Sequence, residues 1–130
     1  GTKEITSEIL DNLTRLSVAV WFMDDGMTDW GYRSYIKYGH NVSPVHTFCT
    51  DSFSYESCIT IQKWFLEKYN IKVRLKEKQL SNRIGYAVIV EKESQKDFLN
   101  QIEPYILPML RYKVDRDAYI EHRAELGLSV

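Results

Sequence analysis

The hydrophobic and polar positions of this chain follow two periods, one typical of helices and one typical of strands. In residues 72–78 every second residue is basic, and residues 32–38 alternate in a similar way. Residues 85–90 are apolar on both faces, which predicts a strand in the centre of a sheet. We therefore expect one pair of strands within about residues 31–50 and a second pair within about residues 71–91.

Helical spacing of apolar residues marks three further segments. For the second of them, Ser54 or Ser57 can cap the start and Asn70 can end the helix. We expect helices at about residues 7–26 and 54–69, and C-terminal helices within about residues 94–130, the first of which starts near Ser94 and ends before Pro104. The order helix, strand, strand, helix, strand, strand, helix predicts an α+β fold, with an antiparallel sheet backed by helices on one side. We expect residues 1–130 to form one such domain.

The first helix ends in an unusual way. Its six apolar residues from Val18 to Met23 cover the whole circumference of a helix, which predicts a helix buried on every side. Asp24 and Asp25 follow at its C-terminus, where the helix dipole disfavours an anion by roughly 0.3–1 kcal/mol. One interpretation is an acid-glycine turn with Gly26 as a left-handed cap. The other is a functional site, in which a divalent metal compensates the charge.

Composition and charge narrow the class of protein. At 130 residues and 44% hydrophobic content, the chain suits one domain with a single core. No run approaches ~18 apolar residues, so no membrane span is expected. Cys49 and Cys58 form neither a metal-binding pattern nor a disulfide framework, which indicates a reducing compartment. The scattered histidines argue against a zinc site.

The net charge of −1 conceals an uneven distribution. Residues 31–92 carry ten Lys and Arg against five Asp and Glu, a net +5, while residues 1–30 carry −4 and residues 93–130 carry −2. The basic surface therefore coincides with the predicted strands. A half-exposed antiparallel sheet with a cationic face suits a reader of the DNA major groove. The alternative is a solvated face with no ligand.

The apolar run and its acids, residues 16–26 (LSVAVWFMDDG), resemble the signature helix of the LAGLIDADG homing endonucleases. The WFMDDG form is found in intron-encoded members with two motifs per chain, and the likeness is to their second halves. Residues 48–53 (FCTDSF) and 102–113 (IEPYILPMLRYK) recur in the same order in such proteins. The resemblance spans about residues 14–114. It implies an αββαββα fold with a four-stranded, saddle-shaped antiparallel sheet over duplex DNA.

The resemblance also implies roles for single residues. In the family, the acid before the final glycine binds divalent cations, Mg²⁺ or Mn²⁺, which carries over to Asp25, while Asp24 can contribute its carbonyl. Lys113 matches a basic residue near the scissile phosphate. Asp51 stands where relatives commonly carry Gln or Asn, so it either holds a water or crowds the metal site. The residues expected to contact DNA are Arg33, Tyr35, Lys37, Lys72, Arg74, Lys76, Lys78 and Arg83.

A single motif supplies one acid, whereas cutting both strands of DNA requires two active sites. The expected partner is a second copy of this chain, forming a homodimer, or a second LAGLIDADG half of a longer chain. Helical spacing assigns the helix-packing surface to Leu16, Ala19, Val20 and Met23.

Three functions follow from this reading of the sequence. The leading one is a metal-dependent homing endonuclease that cuts double-stranded DNA at a specific site. The alternative is a non-cleaving module that binds nucleic acid, such as an RNA maturase for intron splicing or a DNA-binding regulator. A third is a domain with no nucleic-acid role, in which the cationic strand face is incidental.

Overall fold

The computed structural model describes residues 4–31, 37 and 43–128 of the chain. Its four strands form one antiparallel sheet in the order β1-β2-β4-β3. The strands are β1 (Gly26–Asp29), β2 (Val45–Phe48), β3 (Val73–Gln79) and β4 (Ile84–Val90). The helices are α1 (Ser7–Asp11), α2 (Arg15–Asp25), α3 (Tyr55–Tyr69), α4 (Gln95–Ile102) and α5 (Arg116–Glu125), with 3₁₀ turns at Lys92–Ser94, Glu103–Tyr105 and Pro108–Lys113. The predicted α+β fold is confirmed.

The core lies between the helices and one face of the sheet. Phe22 of α2, Phe48 of β2, Phe65 of α3 and Phe98 of α4 are fully buried there. Phe22 and Phe98 have ring centroids 5.3 Å apart, and Phe48 lies 5.7 Å from Phe65. The first pair is edge-to-face and the second is tilted, and aromatic contacts at such distances stabilise the core beyond the area they bury. Four elements are thus fixed around one aromatic cluster.

Local sequence signals placed α3, α4 and β4 correctly. The hydroxyl of Ser54 accepts the backbone N–H of Ser57, and Asn70 ends α3 in the left-handed conformation at φ 54°. α4 stops at Ile102, before Pro104, and Glu103 keeps helical angles of φ −52° and ψ −42° as it begins the 3₁₀ turn that contains this proline. β4 is buried from Ala87 to Val90 and lies between two strands, as its apolar pattern predicted.

The first predicted helix, at about residues 7–26, is wrong in its extent, because two helices occupy the segment. α1 ends at Asp11 and α2 starts at Arg15. Thr14 and Ser17 form a capping box, in which each side chain accepts the other residue's backbone N–H. The Thr-x-x-Ser spacing is the sequence signal for this second start.

The first strand lies earlier than predicted. β1 begins at Gly26, where α2 ends, and pairs with β2 from Gly26 opposite Phe48 to Asp29 opposite Val45. The predicted strand at residues 32–38 falls outside the described residues, apart from Lys37. That residue is helical and exposed, so its predicted place in a strand is wrong.

Burial of α2 also differs from the prediction of a helix buried on every side. Val18, Ala19 and Phe22 are buried, but Leu16 and Val20 are 51% and 43% exposed. These two residues are one helical turn apart, so they form an apolar stripe on the outside of α2. In the described part of the chain, no helix is long and apolar enough to cross a membrane.

Candidate active site and nucleic-acid face

The acidic end of α2 is open to solvent, and Asp24 and Asp25 are both exposed. Gly26, which follows them, has an extended backbone with φ −89° and ψ 153°, so the interpretation as a left-handed glycine cap is wrong. A Cβ at Gly26 would lie 2.3 Å from Cδ1 of Phe22 and 2.4 Å from the Phe22 carbonyl oxygen. Glycine is therefore required by the close approach of the chain to Phe22.

Lys113 places a positive charge at this helix end. Its Nζ donates to the carbonyl oxygen of Met23 at 2.6 Å and to that of Gly26 at 2.9 Å. A cation at a helix C-terminus is favourable, because the last carbonyls carry partial negative charge. Lys113 thus supplies the compensating charge for which the sequence argument invoked a metal. The prediction of a metal ion at Asp25 then depends on the exposed carboxylates and on the family.

Hydrogen bonds from Thr28 of β1 and from Trp30, the residue after β1, hold the turn that carries Lys113. The Thr28 hydroxyl donates to the carbonyl of Lys113 at 2.6 Å, and the Trp30 indole N–H donates to the carbonyl of Tyr112 at 3.0 Å. Arg116 in turn donates to the carbonyl of Trp30 at 3.0 Å. Two consecutive carbonyls of the 3₁₀ turn are therefore bonded to the edge strand β1 and to the residue after it, both more than eighty residues away in sequence.

A buried histidine extends this network. His46 of β2 is fully buried, and its Nδ1 lies 2.9 Å from the Thr28 hydroxyl oxygen. Its Nε2 has no hydrogen-bond partner among the described residues. Burial lowers the pKa of His46 from 6.5 to about 4, because the charged ring would lose its hydration. His46 is therefore neutral at pH 7.

Asp51 forms an ion pair with Lys78 of β3. Its Oδ2 lies 3.5 Å from Nζ of Lys78, and both side chains are 37% exposed. Its Oδ1 is buried without a partner in the described part of the chain. The neighbouring Cys49 N–H donates to the carbonyl of Asp25 at 2.9 Å, which brings this segment beside the end of α2. The acid that departs from the family pattern is thus paired with Lys78.

The donor set tells which kind of metal site these residues suit. Over residues 4–31, 37 and 43–128, no three His, Cys, Asp or Glu side chains are grouped so that they could hold a metal ion. Mg²⁺ is typically held by one or two carboxylates together with waters and substrate phosphates. Exposed carboxylates at Asp24 and Asp25 fit such an open site, and they do not fit a closed cage.

The face of the sheet opposite the helices carries the basic residues of β3. Arg74 and Lys76 are exposed, and neither has a carboxylate partner among the described residues. These two residues belong to a cationic row formed by Lys72, Arg74, Lys76 and Lys78. The cations at its two ends are paired, Lys72 with Glu93 at 3.5 Å and Lys78 with Asp51. The predicted cationic face is therefore present on β3, and its two central members are its freest cations.

The remaining predicted DNA contacts lie outside β3 in the sequence. Arg83 is half-buried at the turn between β3 and β4, where its carbonyl accepts the N–H of Leu80 at 2.8 Å. Lys37 is exposed. Arg33 and Tyr35 lie outside the described residues.

The predicted helix-packing surface needs correction. Ala19 is fully buried and Met23 is only 9% exposed, because both face the core of their own chain. Including these two in a partner-facing surface was wrong, whereas Leu16 and Val20 remain exposed. Sequence reasoning also missed Thr28, Trp30 and His46, whose roles arise from contacts between distant segments.

The fold and the site together define an α+β protein with an acid-tipped helix beside a sheet whose outer face is basic. The chain belongs to the LAGLIDADG DNA endonuclease family, whose family model matches residues 1–98. Among its relatives is the DNA endonuclease I-ChuI of Chlamydomonas applanata, 33% identical over 113 residues, which are 86% of this chain and 48% of the relative. The cytochrome b mRNA maturase bI2 of Saccharomyces cerevisiae is 31% identical over 88% of this chain and 24% of its own length.

A solved structure gives the same result. The homing endonuclease I-WcaI bound to its DNA recognition sequence matches with a TM-score of 0.72 and 25% identity, over 88% of this chain and 46% of that one. The LAGLIDADG fold predicted from the motif is confirmed. The chain spans about half the length of I-ChuI and of I-WcaI, and about a quarter of the maturase.

Proposed function

We propose that this chain is one catalytic unit of a homing endonuclease, which hydrolyses phosphodiester bonds of a specific double-stranded DNA target with divalent metal ions. The observation that carries the proposal is the meeting of two exposed carboxylates and a fixed ammonium group at one helix end. Phosphoryl chemistry needs metal ligands and a positive charge close together. The description of I-ChuI as a DNA endonuclease supports the same function.

Each group has a part in the proposed reaction. Asp25, with Asp24, would hold Mg²⁺ or Mn²⁺, which when bound activates water and stabilises charge on the leaving oxygen. Lys113 has three N–H donors and uses two of them on the carbonyls of Met23 and Gly26. The third is available to a phosphate oxygen, where it would stabilise developing negative charge. Arg74 and Lys76 would contact the DNA from β3.

A second unit completes the proposed enzyme. Each chain supplies one acidic helix end, so cutting both strands takes a partner related by an approximate two-fold. The exposed stripe of Leu16 and Val20 on α2 offers an apolar contact for a partner helix. The partner is either a second copy of this chain or a second half of a longer one, and the length of I-ChuI and I-WcaI fits the second arrangement.

The decisive experiment compares wild type with Asp25→Asn. A randomised duplex library is incubated with each protein and Mg²⁺, cut ends are sequenced, and the oligomeric state is recorded. Loss of a metal ligand should reduce cleavage by at least about a hundredfold while DNA binding is retained. Asp97→Asn, which changes an exposed acid on α4, is the matched control and should cut normally.

Three results would contradict the proposal. They are cleavage that persists in EDTA, equal cleavage by Asp25→Asn and wild type, and binding of duplexes by wild type without any cutting. The last result would favour a non-cleaving maturase, the function named for the yeast relative bI2. Binding of intron RNA would then be measured with the same two proteins.

A further inference from the structure

Lys113 is held at both of its ends. Its ammonium group bonds to two carbonyls at the end of α2, and its backbone carbonyl accepts the Thr28 hydroxyl at 2.6 Å. The lysine side chain is a flexible four-carbon stem, so its ammonium group is held in one place only if the backbone of the same residue is also fixed. Thr28 provides a direct anchor for that backbone.

The proton of each donor in this network can be assigned. Thr28 has a single hydroxyl proton, which it gives to the Lys113 carbonyl, so toward His46 its oxygen can act only as an acceptor. Nδ1 of His46 must therefore carry the proton. Nε2 is then the bare nitrogen, which agrees with its lack of a partner among the described residues. The rings of Phe22, Trp30 and Phe98 surround the imidazole with centroids 5.8–6.2 Å away.

We propose that His46 and Thr28 are positioning residues, which act on the reaction by fixing Lys113 at the acidic end of α2. The two hydrogen bonds form a chain that runs in one direction. The His46 N–H donates to the Thr28 hydroxyl oxygen, and that hydroxyl donates to the Lys113 carbonyl. The effect on rate rests on the proposed nuclease function, whereas the hydrogen-bond chain does not.

A second hydrogen bond to the same turn distinguishes positioning of Lys113 by Thr28 from a purely structural role of Thr28. The bond from Trp30, the residue after β1, to the carbonyl of Tyr112 also holds the 3₁₀ turn, and it does not involve Lys113. Removing the Thr28 hydroxyl therefore leaves the turn attached, yet frees the carbonyl of Lys113 itself. A change of about 1 Å in a catalytic group is enough to slow a reaction strongly.

A double-mutant cycle tests whether Thr28 acts through Lys113. Thr28→Val keeps the shape and suits a strand, and Thr28→Ser keeps the hydroxyl. At saturating DNA and Mg²⁺, Thr28→Val should lower the single-turnover cleavage rate by about tenfold or more, with binding nearly unchanged and Thr28→Ser close to wild type. In a Lys113→Met background the same Thr28→Val change should cost less than about twofold, because residues that act as a unit are not additive. An equal cost in both backgrounds would overturn the proposal.

His46 is tested by two substitutions. Asparagine can place an N–H near the position of Nδ1, so His46→Asn should keep most of the rate. His46→Leu removes the donor while filling the pocket, and it should slow cleavage about as much as Thr28→Val does. Rates are compared below the unfolding temperature of each variant. A rate for His46→Leu that equals that of His46→Asn would contradict the role of the donor.

A readout independent of cleavage separates this proposal from the proposed function. In ¹⁵N NMR spectra, His46 should be protonated at Nδ1 and bare at Nε2, and the ammonium signal of Lys113 should be visible in wild type and lost in Thr28→Val. If those signals appear in a protein that cuts no DNA, the positioning chain stands and the nuclease function fails. If Nε2 carries the proton, or if the Lys113 signal survives in Thr28→Val, the positioning proposal fails.

Discussion

The acidic end of α2 and the basic strand β3 are built in opposite ways. At the end of α2, the ammonium of Lys113 and the hydroxyl of Thr28 bond to groups far away in sequence, and His46 behind them is fully buried. On β3, Arg74 and Lys76 are exposed, with no carboxylate partner in the described part of the chain. One region is fixed by its contacts, and the other is left adaptable.

This difference matches the two physical tasks of the proposed nuclease. A chemical step needs groups held in one geometry, because misplacement lowers the rate steeply. Contact with the DNA backbone needs cations that displace counterions, and each cation contributes almost independently. We therefore expect changes at the end of α2 to act on rate and to be strongly coupled, and changes on β3 to act on affinity and to be additive.

The largest expected effect is that of Lys113→Met. It removes the charge beside Asp24 and Asp25 and should reduce single-turnover cleavage about a hundredfold or more, as for other groups that stabilise charge in a transition state. DNA affinity should change by less than about threefold. Arg111→Met is the matched control, because Arg111 lies on the same turn but pairs with Glu103 at 3.1 Å, whereas Lys113 bonds to the carbonyls at the end of α2. Equal losses for the two variants would show that only total charge matters.

The second effect concerns stability against acid. The pKa of His46 is lowered from 6.5 to about 4 in the folded protein, so the unfolded chain takes up its proton first as the pH falls. The contribution of His46 to the free energy of unfolding is therefore fully present above pH 6.5. As the pH falls from 6.5 to 4, the free energy of unfolding decreases by about 3 kcal/mol because of this group. Urea unfolding at several pH values measures it.

Titrating carboxylates change stability over the same range, so the comparison is made with His46→Asn, which keeps the Nδ donor but does not titrate. The wild type should lose about 3 kcal/mol more than this variant between pH 7 and pH 4. Parallel curves for the two proteins would mean that His46 is solvated in the folded state.

Sequence patterns predicted what depends on neighbours in the chain. The alternation in β3, the apolar run of β4 and the cap at Ser54 are local, and the structure contains each of them. By contrast, β1 is only four residues long, with Met27 as its one large apolar side chain, so no hydrophobic period marked it. The acids and lysine of the candidate site came from the motif, yet the motif did not reveal the Thr28 and His46 that support Lys113.

The orientation of α2 shows the second limit of sequence reasoning. Six consecutive apolar residues give no information about which side faces the sheet, because every side is apolar. Ala19 and Met23 proved to face the core, and Leu16 and Val20 to face outward. Only the packing of α2 against β2 and α4 decides this.

A smaller, graded effect is expected on β3. Arg74→Ala and Lys76→Ala should each weaken DNA binding, and each should reduce the slope of log Kd against log salt by about one, the share of a single phosphate contact. The double variant should show the sum of both changes. Lys63→Ala removes the same charge from the exposed side of α3 and is the control. A coupled loss, or an equal effect of Lys63→Ala, would mean that β3 is not an independent contact surface.

The smallest effect tests where the two regions meet, at the pair of Asp51 and Lys78. Their charged atoms are 3.5 Å apart and partly exposed, so the pair itself stabilises the fold by at most about 1 kcal/mol. Asp51→Asn releases Lys78 to bind phosphate and should raise DNA affinity, measured in EDTA, by about two- to fivefold. In a Lys78→Gln background the gain in DNA affinity should be smaller, because only the removal of one negative charge then favours binding. A full gain without Lys78 would mean that Asp51 repels the DNA directly, and that the pair does not restrain the cationic row.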